Sequence, residues 1–366
     1  MQEKSLSNDV RPPAADEFPA YPASWYLFCE SRQLRDKPFS QHILGRQIVA
    51  FRTASGQVTV MDAHCAHLGA DLGCGTVVGE TIQCPFHHWR YGTDGVCTSI
   101  PHVAQIPPFA QLRTYPVAER HGSVFFFNGP EALFPLPFFF GANPEEFVAA
   151  KVFRYLADCA WFMTTANAFD MQHFLCVHGR DLIDRCQVDC PAPFARRNRY
   201  RAAIVGRSRC DGFLRSFAGH TVDVSITCWG GTYMLMTADF KRAHSCFLIA
   251  TRPLEGGKTL CEGVVFMRRS HNPLMRWLWQ PLNLMVRRRL TYEFVADESR
   301  NLRGIRYNPA ALTRDDATMA DFFGWLVQLP AQSQNVLQQE VSLPARMARA
   351  EVFQGTRGES LCRQSH

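Results

Sequence analysis

Apolar positions in the first third of the chain come in short alternating runs. Residues 24–28, Ser-Trp-Tyr-Leu-Phe, read as a first strand. Residues 42–52 and 57–61 are further β-type runs, and Thr53-Ala54-Ser55-Gly56 between them is a hairpin turn. A short run at 81–83 follows. Tyr91-Gly92-Thr93-Asp94-Gly95 is a turn, and runs at 112–119 and 123–128 flank another at Arg120-His121-Gly122. Residues 21–140 are therefore expected to be an all-β domain, its last part a Pro/Phe-rich connection. Residues 1–20, rich in Pro, Ala and acidic side chains, read as a flexible leader.

The pattern changes beyond residue 141. A strand at 151–158 precedes a helix at 161–178, which Gly179 is placed to end. Strand-like runs at 200–207, 222–228, 232–237, 245–251 and 258–267 predict an antiparallel meander. Helices are expected at 273–304 and 316–329. Residues 141–345 thus form a second, α+β domain, an antiparallel sheet curled around a long helix, and 346–366 a polar tail.

Composition adds limits. The 366 residues suffice for two domains, and 46% hydrophobic with 20% charged is globular. A net charge of +6 is too small and scattered for nucleic acid, though it suits an acidic redox partner. Fourteen cysteines lack the spacing of a disulfide scaffold, and the first ten residues have no apolar core. The expected compartment is the reducing cytoplasm. No apolar run is long enough to span a bilayer. Residues 274–286 are apolar, Trp-containing and followed by Arg287-Arg288-Arg289. They are read as a helix covering the core with its charges in solvent, not as a membrane contact.

Two loops stand out, His64-Cys65-Ala66-His67-Leu68-Gly69 and Cys84-Pro85-Phe86-His87-His88-Trp89-Arg90-Tyr91-Gly92. Each pairs one Cys with one His. Thiolate with imidazole suits an iron–sulfur cluster or zinc. A single residue between Cys65 and His67 fits structural zinc less well. His64 and His88 read as neighbours of ligands, Cys74 and Cys97 as structural. A second cluster lies in Asn167-Ala168-Phe169-Asp170-Met171-Gln172-His173-Phe174-Leu175-Cys176-Val177-His178. His173 follows His87 by 86 positions (173 − 87). The i, i+5 spacing of His173 and His178 needs the helix to distort or end between them.

These motifs resemble the Rieske non-haem iron oxygenases. The resemblance implies a two-iron, two-sulfide cluster on Cys65, His67, Cys84 and His87, two Cys on one iron and two His on the other. Ala70 and Phe86 stand where respiratory Rieske proteins carry extra cysteines. The Asp-x-x-His-x-x-x-x-His stretch implies a mononuclear Fe(II) on His173, His178 and a distant carboxylate. Asp297, 119 positions after His178 (297 − 178), is the best match, with Glu293 and Glu298 as alternatives. Asp170 takes the role of a hydrogen-bonded bridge to a Rieske His of a neighbouring subunit, and Asn167 that of a nearby family Asn. A helix-grip, START-like catalytic domain and a homotrimer are implied as well.

The expected function is a terminal oxygenase. A ferredoxin or flavin reductase, drawing on NAD(P)H, supplies electrons, and O2 oxidises a hydrophobic aromatic or heterocyclic compound. Hydroxylation, arylamine N-oxygenation, dealkylation, cyclisation and desaturation all remain open. The competing class is a Rieske electron carrier without oxygenase activity.

Overall fold

The computed structural model describes residues 12–35 and 37–330, without the side chains of residues 209, 210, 297 and 298. The tail expected at 346–366 and the first eleven residues lie outside that description. Within the stretch expected as a leader, Pro13 and Phe18 are buried while 14–17 between them are exposed. Phe18 is buried and stacks on Phe162 at 3.8 Å. Tyr307 donates its hydroxyl hydrogen to the Pro13 carbonyl.

Three small antiparallel sheets come first. Trp25–Glu30, Ser123–Phe127 and Val117–Arg120 form one. Phe39–Ile43, Arg46–Arg52, Val58–Asp62 and Thr114–Tyr115 form the second. Thr76–Val78, Thr81–Gln83, Arg90–Tyr91 and Cys97–Ser99 form the third. The run expected as one strand at 42–52 is two, because Leu44 (φ 51°) and Gly45 (φ 74°) turn the chain. The run at 112–119 breaks at Pro116, which has no ladder donor to offer.

Six of the nine strands of the large sheet are Phe147–Ala149, Ala195–Ile204, Thr221–Trp229, Tyr233–Phe240, His244–Pro253 and Thr259–Arg268. Phe153–Ala157, Arg180–Leu182 and Gln187–Ala192 complete it. The expected meander is present from Ala195 to Arg268, every pair antiparallel. Helix α1 spans Trp161–Ala166, α2 Met171–Cys176, α3 Arg209–Phe217, α4 Gln280–Asn301 and α5 Ala317–Leu326. The single helix expected at 161–178 is therefore two. A 3-10 turn, Asn167–Phe169, and the extended Asp170 (φ −94°, ψ 108°) separate them.

Both faces of the large sheet are buried. On one, Ile226, Phe247, Ile249 and Val265 pack with Trp161, Phe169, Val295 and Phe322 from the helical side. On the other, Leu235, Leu248 and Phe266 meet Leu27, Phe125, Phe127, Phe134 and Phe139. Period-2 alternation explains how Ser123–Phe127 serves two cores. Val124 and Phe126 point into one core, Phe125 and Phe127 into the other. Each large side chain buried this way contributes about 1.5–3 kcal/mol. The many phenylalanines thus act first as glue between the layers.

The reading of residues 274–286 is corrected. Leu274 (65% exposed), Trp277 (77%) and Met285 (61%) face solvent, as do Leu278, Trp279, Leu282 and Val286. The helix covers the core only from about Thr291 onward, where Thr291 and Val295 are buried. No helix among the described residues is long and apolar enough to cross a membrane.

Candidate metal sites and their relatives

The two Cys/His loops share one construction. The Cys65 amide donates to the Ala70 carbonyl at 3.0 Å, and the Cys84 amide to the Trp89 carbonyl at 2.8 Å. The fourth residue after each Cys has a left-handed backbone, Gly69 (φ 75°) in one loop and His88 (φ 58°) in the other. His88 thus turns its loop, and His64 closes the other through Nδ1 and the Gly69 carbonyl at 3.0 Å. The loops do not both sit on hairpin tips. The second joins Thr81–Gln83 to Arg90–Tyr91, whereas the first crosses from one sheet to the next. Asp71 anchors that crossing by accepting from Ser40 Oγ (2.8 Å), Gln47 Nε2 (3.2 Å) and the Gly73 amide (2.7 Å).

The four predicted ligands converge from these loops. Cys65 and Cys84 are buried and interact with each other, while His67 and His87 are exposed with ring centroids 4.7 Å apart. Burial pushes the Cys65 thiol up, and the Tyr91 hydrogen bond opposes that shift. A buried pair of such thiols gains most from a metal that takes the charge of the thiolates. Among the described residues no three His, Cys, Asp or Glu side chains group around one point for a single ion. Two thiols inside and two imidazoles outside suit a cluster of two irons, with a different ligand pair on each.

Tyr91 and Trp89 complete this site. The Tyr91 oxygen accepts the Ala66 amide at 3.1 Å, so its own hydrogen faces Cys65 Sγ, 3.1 Å away. A hydrogen bond to a cluster thiolate favours the reduced, more negative state. Tyr91→Phe is expected to lower the cluster potential by ~60 mV, the equivalent of one charge-assisted hydrogen bond. Protein-film voltammetry measures it, and an unchanged potential would contradict the contact. Trp89 stacks on His67 at 4.7 Å with a 2° interplanar angle.

Gly75 brings the loops together. A Cβ there would lie 2.2 Å from the Gln83 carbonyl oxygen, immediately before Cys84. Neither backbone can yield, so Gly75→Ala is expected to cut iron–sulfur occupancy at least about twofold. Visible absorbance per chain reads the loss.

The second site lies at the break between helix and loop. Asp170 caps α2, its Oδ1 accepting the His173 amide at 3.1 Å. The helix stops at Cys176, between the two histidines, and Gly179 (φ 58°) turns the chain away. The distortion expected for the i, i+5 spacing is thus an early helix end. His173 and His178 are both 8% exposed, and their Nε2 atoms face each other at 3.0 Å. With metal–nitrogen bonds of about 2.1 Å that separation subtends about 90°, suited to two adjacent ligands of a facial triad.

Asn167 is buried beside them, and its Nδ2 has no hydrogen-bond partner within the described protein. Asp297 lies on α4, and its side chain and that of Glu298 are outside the described residues. Glu293 pairs with Arg289 at 2.7 Å and is partly exposed.

Sequence reading missed three supporting residues. The Phe294 ring stacks on His178 at 4.1 Å. The Arg180 guanidinium lies over the Phe294 ring, 5.8 Å from its centroid. Arg180 also donates to the His178 carbonyl (2.6 Å) and to Asp211 Oδ1 (2.7 Å), both partners buried. Its neighbouring position to His178 was the one available signal. A chamber of about 40 Å³ lined by His178 and Asn167 adjoins an apolar cavity of about 390 Å³. Tyr200, Met236, Phe247 and Phe294 wall both.

Cys/His loops on a small all-β unit, joined to a large antiparallel sheet with a buried His pair, define an iron–sulfur protein with a second candidate metal centre. Residues 24–116 match the family model described as Rieske [2Fe-2S] domain. Aminopyrrolnitrin oxygenase PrnD of Pseudomonas fluorescens is 39% identical over 166 residues, 43% of this chain and 46% of the relative. A 3-ketosteroid-9-alpha-monooxygenase oxygenase component of Rhodococcus rhodochrous is 34% identical over 161 residues, 44% of this chain and 39% of the relative. The chain thus spans less than half the length of these curated relatives. Among solved structures, NdmA of Pseudomonas putida CBB5 has a TM-score of 0.60 at 20% identity, covering 92% of this chain and 98% of that one. That is a likeness of fold. The chain carries a Rieske [2Fe-2S] domain over residues 24–116, and over nearly its whole length it has the fold of NdmA.

Proposed function

We propose that this chain is the terminal oxygenase of a Rieske non-haem iron system acting on a hydrophobic aromatic or heterocyclic molecule. The observation that carries the reading is the buried His173–His178 pair, nitrogen atoms 3.0 Å apart, beside an apolar cavity in a chain with a Rieske domain. Cys65 and Cys84 would hold one iron of the cluster and His67 and His87 the other. His173, His178 and Asp297 would hold the mononuclear Fe(II). When bound, the cluster relays single electrons and the mononuclear iron activates O2.

The protein's own groups do the remaining work. His67 and His87 stand at the surface, where a ferredoxin or flavin reductase fed by NAD(P)H reaches them. Asp170 holds the turn that presents His173 and, in a homotrimer, meets the Rieske His of the next subunit. The apolar cavity excludes water and orients substrate, and Asn167 offers its unmatched amide to a polar group in the chamber. The reducing cytoplasm fits an oxygen-dependent cluster protein with many thiols.

The test is turnover. Purified chain with a flavin reductase, ferredoxin, NADH and O2 is expected to convert an aromatic probe such as an arylamine to an oxygenated product. Failure with a broad panel of such compounds, together with no substrate-stimulated O2 uptake, would leave the electron-carrier class instead.

A further inference from the structure

We propose that the helical segment that starts at residue 273, passes through a π-helical turn at Met275–Trp279 and continues into α4 docks this protein onto an anionic lipid surface. Leu274, Trp277, Leu278, Trp279, Leu282 and Met285 are each 46–77% exposed. Scattered exposed apolar residues are ordinary, but six large ones within twelve positions form a patch of the kind that marks an interaction site.

Charge selects the occupant. Between Gly263 and Tyr292 the chain has six arginines, at 268, 269, 276, 287, 288 and 289, and no Asp or Glu. Arg268 meets Glu146, and Arg289 meets Glu293. Arg287 and Arg288 donate to the carbonyls of His244 and Lys151, and among the described residues neither forms an ion pair with a carboxylate. Arg269 and Arg276 are exposed. Arginines before, within and after the apolar run match a helix lying in an interface, apolar side chains among acyl chains and guanidinium groups at phosphate level. Two copies meeting through this same face would oppose like charges.

The position of the face gives a second, independent argument. Val286 and Leu290 line the 390 Å³ apolar cavity, whose rim also carries Phe217, 64% exposed. The cavity opens beside the docking helix, so a lipophilic molecule passes from bilayer to cavity without crossing water. That last step rests on the proposed function, whereas docking itself does not depend on turnover.

Sedimentation with phosphatidylcholine vesicles, with and without phosphatidylglycerol, tests it. The full chain is expected to sediment with the anionic vesicles at least about tenfold better than with neutral ones, and less at high salt. Trp277→Ser with Trp279→Ser is expected to lower binding more than about tenfold while visible absorbance stays unchanged. Arg269→Ser and Arg276→Ser are each expected to lower it about fivefold. No binding to anionic vesicles overturns the proposal. So does unchanged binding of the tryptophan variant. A fall in that variant's solution mass by light scattering, without any vesicle binding, assigns the face to a second copy and overturns it too.

Discussion

His173→Ala is expected to remove one iron per chain and leave the Rieske absorbance untouched. On the proposed function about three irons are expected per chain, two in the cluster and one at the buried His pair. The substitution takes away one of two imidazoles that face each other at 3.0 Å. It spares the cap of α2, because Asp170 accepts the main-chain amide of residue 173 and not its ring. Losing only an outer hydrogen-bond partner of a metal ligand costs about 10–100-fold. Losing the ligand is expected to lower product formation by more than ~100-fold. Iron analysis beside the visible spectrum separates the two centres. Retention of about three irons per chain would show that His173 does not bind the metal.

The second large effect concerns stability. Asp211→Ala leaves the buried Arg180 guanidinium without its carboxylate. Arg180 is 6% exposed and Asp211 8%. Breaking such a pair from one side costs about 3–5 kcal/mol, measurable by urea denaturation. Arg180 also holds the carbonyl of His178, so iron content is expected to fall with stability. Asp211→Asn keeps an oxygen for Arg180 and is expected to lose less. An equal loss in both variants would show that the carboxylate charge, not the retained oxygen, is what Arg180 needs.

The same pair carries a pH dependence. Burial raises the Asp211 carboxyl, but hydrogen bonds from Ser208 and the Arg180 guanidinium outweigh it and hold the group below the ordinary 3.8. A carboxyl depressed in the folded state stabilises the fold above its unfolded value and loses that contribution as pH falls. The stability gap between the parent chain and Asp211→Asn is therefore expected to be full above about pH 5 and to shrink below about pH 4. Denaturation midpoints across that range check the sign.

What the sequence by itself determined was local chemistry. Cys65 with His67, and Cys84 with His87, lie so close along the chain that a tight turn and a hydrogen bond five residues on suffice to present them. The α+β pattern and the meander were legible for the same reason, since strand and turn signals repeat every few residues. The interval from His173 to His178 announced a helix end, which falls at Cys176 with Gly179 turning the chain just beyond it. Tertiary structure decided what depends on residues far apart in sequence. Phe294 stacks on His178 across 116 positions (294 − 178). Arg180 meets Asp211 across 31. The burial of Ser123–Phe127 on both faces shows only once the large sheet is in place. Residues 274–286 make the contrast plain. Their apolar, arginine-flanked composition was visible at once and suggested a covering helix, but exposure is set by which surfaces the rest of the chain has already filled. The core closes around Val295, one helix extension further on, and leaves Trp277 and Trp279 outside.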